Sequence, residues 1–356
     1  MDILCLQELA AEVGLDCIGA VPVGPTPTWE HYHAWLAQGY AGDMAYLARP
    51  DAVAQRADPR HLLPEARTVL VVAAVYGRAA LPALPPLHGW VARYAWGAED
   101  YHQWLLQRLR ALIQRLEEAC GAFPWRAYVD TGPILERAWA WAAGLGWIGK
   151  NASLIHPQLG SYLFLGVALL GLDLPPTPPP PLPTCGDCRR CIDACPTQAI
   201  VAPGVVDARR CLAYLTIEHR GTIPEALRPA LGARVFGCDV CQEVCPWNHH
   251  ALRATPVTAP AERAQLYLPD LLMLPEEAFR ARFRRSPVWR ATHVGLARNA
   301  TVVLGNSGDP AARPYLAQAA QQHPSALVRE HATWALGQSV FVGGSCPPTK
   351  QFSDDT

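Results

Sequence analysis

The sequence predicts an α+β protein built in three parts. Three observations carry that reading. Short strand and helix signals are mixed over residues 1–172, a cysteine-dense stretch follows a proline run, and a helical pattern repeats at an offset of 32 residues near the end. At 356 residues the chain is long enough for two or three cores. A formal net charge of −1 gives no global attraction to nucleic acid, so charge has to be read locally.

The first part is expected to cover 1–174 and to be an α/β domain. Ile3, Leu6, Leu9, Ala10 and Val13 recur at helical spacing and stop at Gly14. Ile18–Val23 reads as a strand and Glu30–Gln38 as a helix. Thr68–Val75 is a continuous valine-rich run, the mark of a buried strand. Asp100–Ala119 is a long amphipathic helix, Trp125–Val129 a strand, Ile134–Ala143 a helix and Ser161–Leu170 a last strand. The longest apolar runs, Val69–Tyr76 and Leu163–Leu172, are too short to span a bilayer, so no membrane is expected. Met1-Asp2-Ile3-Leu4 has no basic n-region, which argues against secretion.

Residues 175–183 are almost all proline and resist both helix and sheet, as a stiff connector would. Beyond them eight of the twelve cysteines fall between Cys185 and Cys245. Cys185-x-x-Cys188-x-x-Cys191-x-x-x-Cys195-Pro196 opens the stretch, and Cys238-x-x-Cys241-x-x-x-Cys245-Pro246 closes it. The opening run resembles the bacterial two-cluster ferredoxin pattern, in which three thiolates hold one 4Fe-4S cluster and the fourth crosses to the other. By that rule Cys185, Cys188, Cys191 and Cys245 hold the first cluster. Cys195, Cys211, Cys238 and Cys241 hold the second. Paired C-x-x-C motifs also bind zinc. Zinc explains neither the third cysteine at two-residue spacing nor the repeated Cys-Pro ending. Thiolate ligands without a secretion signal indicate a reducing cytoplasm. The cluster unit is expected over 184–250.

In 251–340 the segment Leu296–Ser307 matches Val328–Ser339, with Ala-Thr-x-x-Leu-Gly-x-Ser in both copies and one more helix between them over Pro310–Gln321. This reads as a short HEAT-like all-α repeat that must lean on another domain. Residues 341–356 form a tail.

Candidate chemistry lies at two motifs of the first part, Asp130-Thr131-Gly132-Pro133 and Gly146-Trp147-Ile148-Gly149-Lys150-Asn151. Asp130 ends a strand and precedes a helix, so it is either a capping aspartate or a ligand-edge carboxylate of the kind α/β folds use. Lys150 is one of two lysines against 28 arginines, so a compact point charge is wanted there, or the residue is mere drift. Arg280, Arg282, Arg284, Arg285, Arg290 and Arg298 lie in 19 residues without an acid. They form either a solvated helix face or a phosphate-binding one. No Walker A loop or dinucleotide fingerprint is present. Asp100-Tyr101-His102 starts a D-x-H-x-x-G corrinoid motif, but Leu105 replaces its glycine, so no histidine lower ligand is announced.

Together these motifs resemble the epoxyqueuosine reductase family. The resemblance runs over nearly the whole chain. It includes Arg56-x-Asp58-Pro59-Arg60, Arg93-Tyr94 before Asp100-Tyr101-His102, and Asp130 through Arg137. It continues with Gly144 through Asn151, Tyr214 through Glu218, Phe236 through Asn248, and Arg329 through Gly337. Departures are Ser153 in its loop and a longer proline run. The resemblance implies a base-off cobalamin in the first domain beside one cluster. It carries Arg56, Asp130, Lys150, Asn151, Ser153 and Thr216 as cofactor-binding positions, with Asp130 the proton donor. It also implies binding of the tRNA anticodon stem-loop, which suits the arginine segment, an external electron donor, and a monomer. To donate, Asp130 is expected to be protonated when substrate is bound, with a pKa raised by burial. The competing readings are a corrinoid reductive dehalogenase-like enzyme, which needs no RNA face, and a ferredoxin-like electron carrier, which leaves the first domain without a purpose.

Overall fold

Thr68–Val75 is buried at all eight residues and is the centre of the first part. The computed structural model describes residues 3–76, 83–177, 184–251 and 263–338. The central strand pairs antiparallel with Cys17–Pro22 on one side and with Leu163–Leu170 on the other. Leu163–Leu170 in turn pairs antiparallel with Trp125–Tyr128. The order is therefore first, second, fourth, third strand along the chain. Side chains alternate across such a strand. Leu70, Val72 and Ala74 face the helices Ile3–Glu12 and Tyr101–Cys120 through Leu6, Leu105, Leu109 and Leu112. Val69, Val71 and Ala73 face Trp139, Ala140 and Ala143 around the helix Glu136–Ala142. A sheet covered by helices on both faces explains why the sequence shows an unbroken apolar run there instead of alternation.

All pairings in this sheet are antiparallel, which corrects the α/β expectation for the first part. The whole is α+β, and Asp130 does not sit at the carboxyl edge of a parallel sheet. The element positions otherwise follow the sequence closely, with helices at Ile3–Glu12, Trp29–Ala37 and Tyr101–Cys120.

A second sheet is not foreshadowed in the sequence. His88–Val91 pairs parallel with Arg234–Phe236 and antiparallel with Gln265–Tyr267. Its strands come from the three expected parts. The core around it runs from Val91 and Trp96 through Phe236 and Leu266 to Leu304, Leu316 and Ala335. The boundaries near 184 and 251 thus do not separate independent cores. At the C-terminal end the helices His293–Ser307, Arg313–Gln322 and Ala326–Leu336 pack together. The two sequence copies meet there, since a Cβ on Gly305 would stand 2.7 Å from the Cβ of Ala335.

The proline run is described as far as Thr177, whose Oγ1 accepts the Ala20 N–H at 2.8 Å, so the connector begins docked to the first strand. Residues 178–183 and the tail 341–356, with Cys346 and Lys350, lie outside the described residues. Among the described residues no helix is long and apolar enough to cross a membrane.

Candidate active site and cluster ligands

Asp130 follows the strand Trp125–Tyr128 and adopts φ 56°, a left-handed conformation that few non-glycine residues take and that aspartate tolerates better than most. The turn is held from two sides. The Asp130 N–H donates to Oε1 of Glu136 at 2.6 Å, and the Asp130 Oδ2 accepts from Nε2 of His102 at 3.0 Å. His102 lies in the first turn of the long helix, and its Nδ1 hydrogen-bonds Oδ1 of Asp100 at 2.5 Å. Asp100 caps that helix by accepting the His102 N–H. One imidazole thus bridges two carboxylates. Tyr101 stacks on the His102 ring at a centroid distance of 4.0 Å.

Residues far away in sequence complete the site. Arg290 places Nη1 3.9 Å from Oδ2 of Asp130, and its Nε donates to Oε1 of Glu218 at 2.5 Å. Tyr46 joins it, with its hydroxyl 3.4 Å from Arg290 Nη2. Arg137 donates to the carbonyl of Ala152. The Asp130 carboxylate is surrounded by protein on most sides, yet its side chain keeps 49% of its surface open. It is therefore open to solvent, where a reacting group can approach.

The electrostatics reverse one expectation. Burial alone would raise the Asp130 pKa. The His102 hydrogen bond and the positive charges of His102, Arg290 and Arg137 outweigh burial and hold it below the usual value, as a carboxylate. His102 moves the other way. Its desolvation is overcome by the two carboxylates, and its pKa is pushed up to about 9. Glu136 is raised to about 8 by burial and by the neighbouring Asp130 charge. In this site the proton therefore sits on His102, across the hydrogen bond from Asp130.

The Lys150–Ser153 loop ties this site to the cysteine segments. Lys150 Nζ donates to the Gly186 carbonyl at 2.6 Å, between Cys185 and Cys188. Asn151 Nδ2 reaches the Cys241 carbonyl at 3.4 Å, and Asn151 Oδ1 accepts the Ser153 N–H at 3.2 Å. Among the thiols, Cys191 lies close to Cys185, Cys188 and Cys245. Cys241 lies close to Cys238 and Cys211 and, more weakly, to Cys191 of the first set, and Cys211 lies close to Cys195. Burial, with neighbouring thiols adding to it, raises Cys191 to about 11, Cys238 to about 12, and also Cys211, Cys241 and Cys245. Such a set is costly to ionise unless a strongly positive group binds it, which suits iron–sulfur clusters. Cys195 Sγ also accepts the Ala199 N–H at 3.2 Å.

Other expected positions fall differently. Thr216 is fully buried. Its hydroxyl donates to the Leu212 carbonyl at 2.7 Å and accepts the Gly237 N–H at 2.9 Å, so it steadies the backbone ahead of Cys238 and faces no open site. This corrects its reading as a cofactor contact. Arg56 is buried, with Nη1 on the Ala52 carbonyl at 3.3 Å and its guanidinium 5.9 Å from the Tyr32 ring. Arg298 is also buried, donating to the carbonyls of Leu215, His219 and Gly221, and is removed from the RNA-facing set. Arg290 belongs to the Asp130 site. Arg280, Arg282, Arg284 and Arg285 remain outside the core, although Arg280 pairs with Glu276 and Arg285 with Glu99. The acids that temper this face come from outside 280–298, where the sequence segment shows none.

Comparison with known proteins fits this geometry. Residues 184–248 match the model of the 4Fe-4S double cluster binding domain, and residues 56–131 match Epoxyqueuosine reductase QueG, DUF1730. The epoxyqueuosine reductase of Xanthomonas campestris pv. campestris is 43% identical over 94% of this chain and 95% of its own. The chain belongs to the epoxyqueuosine reductase family. The Pseudomonas aeruginosa epoxyqueuosine reductase is 41% identical, covering 93% of this chain and 92% of its own. Among solved structures, an epoxyqueuosine reductase bound to an epoxyqueuosine-modified tRNA-Tyr stem loop superposes with a TM-score of 0.84. It shares 31% identity over 94% of this chain and 89% of its own. The Bacillus subtilis epoxyqueuosine reductase with its catalytic aspartate loop swung out of the active site matches at the same TM-score, 30% identity and the same coverage. Both are epoxyqueuosine reductase structures, and the 4Fe-4S match covers all eight clustered cysteines of this chain.

His102 is the site residue that sequence reasoning misses. Its signal is present in Asp100-x-His102, but that pattern reads only as a corrinoid motif that then fails at Leu105.

Proposed function

We propose that this chain reduces epoxyqueuosine to queuosine in the anticodon stem-loop of tRNA, with Asp130 as the residue that hands a proton to the epoxide oxygen. The observation that carries the proposal is the exposed Asp130 carboxylate, held at a strand edge by His102 and Glu136. The solved relative whose catalytic aspartate lies in a movable loop supports the same role for a loop aspartate here. Opening the epoxide and expelling its oxygen requires protons at that oxygen, and a positioned acid supplies them.

The residues present fit a cobalamin held between Asp130 and the cysteine segments. The Lys150–Ser153 loop lies between the two, bonded to Arg137 through Ala152 and to the backbone at Gly186 and Cys241. Lys150, Asn151 and Ser153 would hold it, and Arg56 would act from deeper in the first domain. When bound, cobalamin supplies a cobalt centre able to pass electrons to the epoxide. Cys185, Cys188, Cys191 and Cys245 would hold one 4Fe-4S cluster, and Cys195, Cys211, Cys238 and Cys241 the other, fed by an external donor. This assigns 1–174 to the cofactor, 184–250 to the clusters and 251–340, with its HEAT-like helices, to RNA. Arg280, Arg282, Arg284 and Arg285 meet phosphates, in a monomer acting in the cytoplasm. The test is anaerobic turnover of an epoxyqueuosine-containing stem-loop by protein reconstituted with iron, sulfide and cobalamin. Queuosine should form, and no queuosine from the fully loaded protein would reject the function.

A further inference from the structure

The reduction of an epoxide to an alkene takes two electrons and two protons, and the oxygen leaves as water. Asp130 carries one proton at a time, so a second source must stand behind it. His102 is placed for this. Nε2 is 3.0 Å from Oδ2 of Asp130, and Nδ1 is 2.5 Å from Oδ1 of Asp100. A neutral imidazole has one donor and one acceptor nitrogen, whereas two ionised carboxylates both require donors, so this bridge is satisfied only by imidazolium.

We infer that His102 is a proton reservoir that loads Asp130 twice in each turnover, with Asp100 holding the imidazole charged and in line. This rests on the reading of Asp130 as the proton donor. The Nε2 proton passes to the Asp130 carboxylate, and Asp130 delivers it to the epoxide oxygen as one C–O bond breaks. His102 then takes a proton from solvent, which its 21% exposed side chain can reach. A second transfer by the same route accompanies loss of the remaining C–O bond, and water departs. The two electrons come from the reduced iron–sulfur centres that serve the reduction. His102 touches no substrate and acts through Asp130, so it is a positioning and relay residue.

The charged and titratable groups around the relay come from several elements. Asp100 and Tyr101 stand at the start of its own helix, Asp130, Glu136 and Arg137 follow the third strand, and Arg290 and Tyr94 approach from elsewhere. Arg290 stabilises the unloaded Asp130 carboxylate between transfers, at 3.9 Å.

The experiment uses the loaded holoenzyme, an epoxyqueuosine-containing stem-loop, and buffers from about pH 5.5 to 9.5. Wild-type turnover should hold until His102 loses its proton near pH 9 and fall above it. His102→Gln cannot carry a proton. It should lose about 10²-fold or more at pH 8, the size of a lost acid–base group, and recover as solvent acid loads Asp130 directly at low pH. His102→Ala should be rescued by added imidazole. Asp100→Asn keeps the imidazole but weakens its charge, so its alkaline limb should move to lower pH. A second readout does not depend on turnover. In the 15N NMR spectrum of histidine-labelled protein, the pair of signals lost in His102→Gln should show both nitrogens protonated at pH 7.5. A neutral imidazole there overturns the inference, as does a loss of rate equal at every pH and not relieved by imidazole. The NMR result reads His102 whether or not Asp130 is the acid. Near-full activity of Asp130→Asn would instead remove the group the relay serves and reject both readings.

Discussion

The backbone N–H of Asp130 donates to Oε1 of Glu136 at 2.6 Å, while burial and the Asp130 charge lift the Glu136 pKa to about 8. The carboxyl that pins the site loop therefore carries a proton near neutral pH. A group whose pKa is raised on folding stabilises the fold below its unfolded pKa, and that contribution is lost as pH rises through the folded value. For Glu136 the loss runs from about pH 4.5 to about 8 and is complete above 8. Glu136→Gln keeps the acceptor oxygen without the titration. Thermal melting from pH 6 to 8.5 should show the wild type losing stability relative to Glu136→Gln as pH rises. Parallel curves for the two proteins would mean that Glu136 titrates normally.

The arginine segment divides into residues of opposite consequence. Arg298 donates to three backbone carbonyls and to Asn299 Oδ1 in the interior. Arg298→Ala should cost about 3–5 kcal/mol of stability, because those acceptors are left unpaired in a buried place. Chemical denaturation measures this directly, and a change below about 1 kcal/mol would show that the site relaxes around the loss.

Replacing Arg282, Arg284 and Arg285 together by Ala should leave the melting temperature nearly unchanged and weaken stem-loop binding. The salt dependence should flatten by up to about one slope unit for each phosphate that is no longer neutralised. Fluorescence anisotropy at several salt concentrations is the measurement. Unchanged affinity and slope would make this face a solvated one.

The cysteine assignment predicts about eight irons per chain, four in each centre. Cys195→Ala should disturb the centre of Cys238, Cys241 and Cys211 and spare that of Cys185, Cys188 and Cys191, although the latter are its sequence neighbours. Iron quantitation and EPR of the reduced protein distinguish the two. Loss confined to the first centre would overturn the crossing.

How much of this is legible in the sequence depends on the range over which each feature is decided. The Thr68–Val75 strand declares itself because burial on both faces leaves an unbroken apolar run. The sheet of His88–Val91, Arg234–Phe236 and Gln265–Tyr267 does not, because its short strands gain their meaning only from distant partners, as His88 does from Tyr267. The cysteine spacing carries its own chemistry, since thiolate geometry is local. Without substrate, the Asp130 pKa is shifted down, where the sequence leads one to expect burial to raise it. It depends on His102, 28 residues earlier, and on Arg290, which arrives from the C-terminal part. Burial is foreseeable from the sequence, but two of the positive groups that outweigh it, His102 and Arg290, are brought in from distant segments. Arg298 misleads for a related reason, as a sequence cannot show which arginine of a cluster turns inward to satisfy carbonyls.

The most direct test of the account is turnover by Asp130→Asn, measured as queuosine formed on an epoxyqueuosine stem-loop under anaerobic reduction. Asparagine keeps the shape of the side chain and removes the transferable proton. Turnover should fall by about 10²–10⁴, with iron content and stem-loop affinity unchanged. A variant that keeps close to full turnover would contradict the account and make Asp130 a residue of the turn alone.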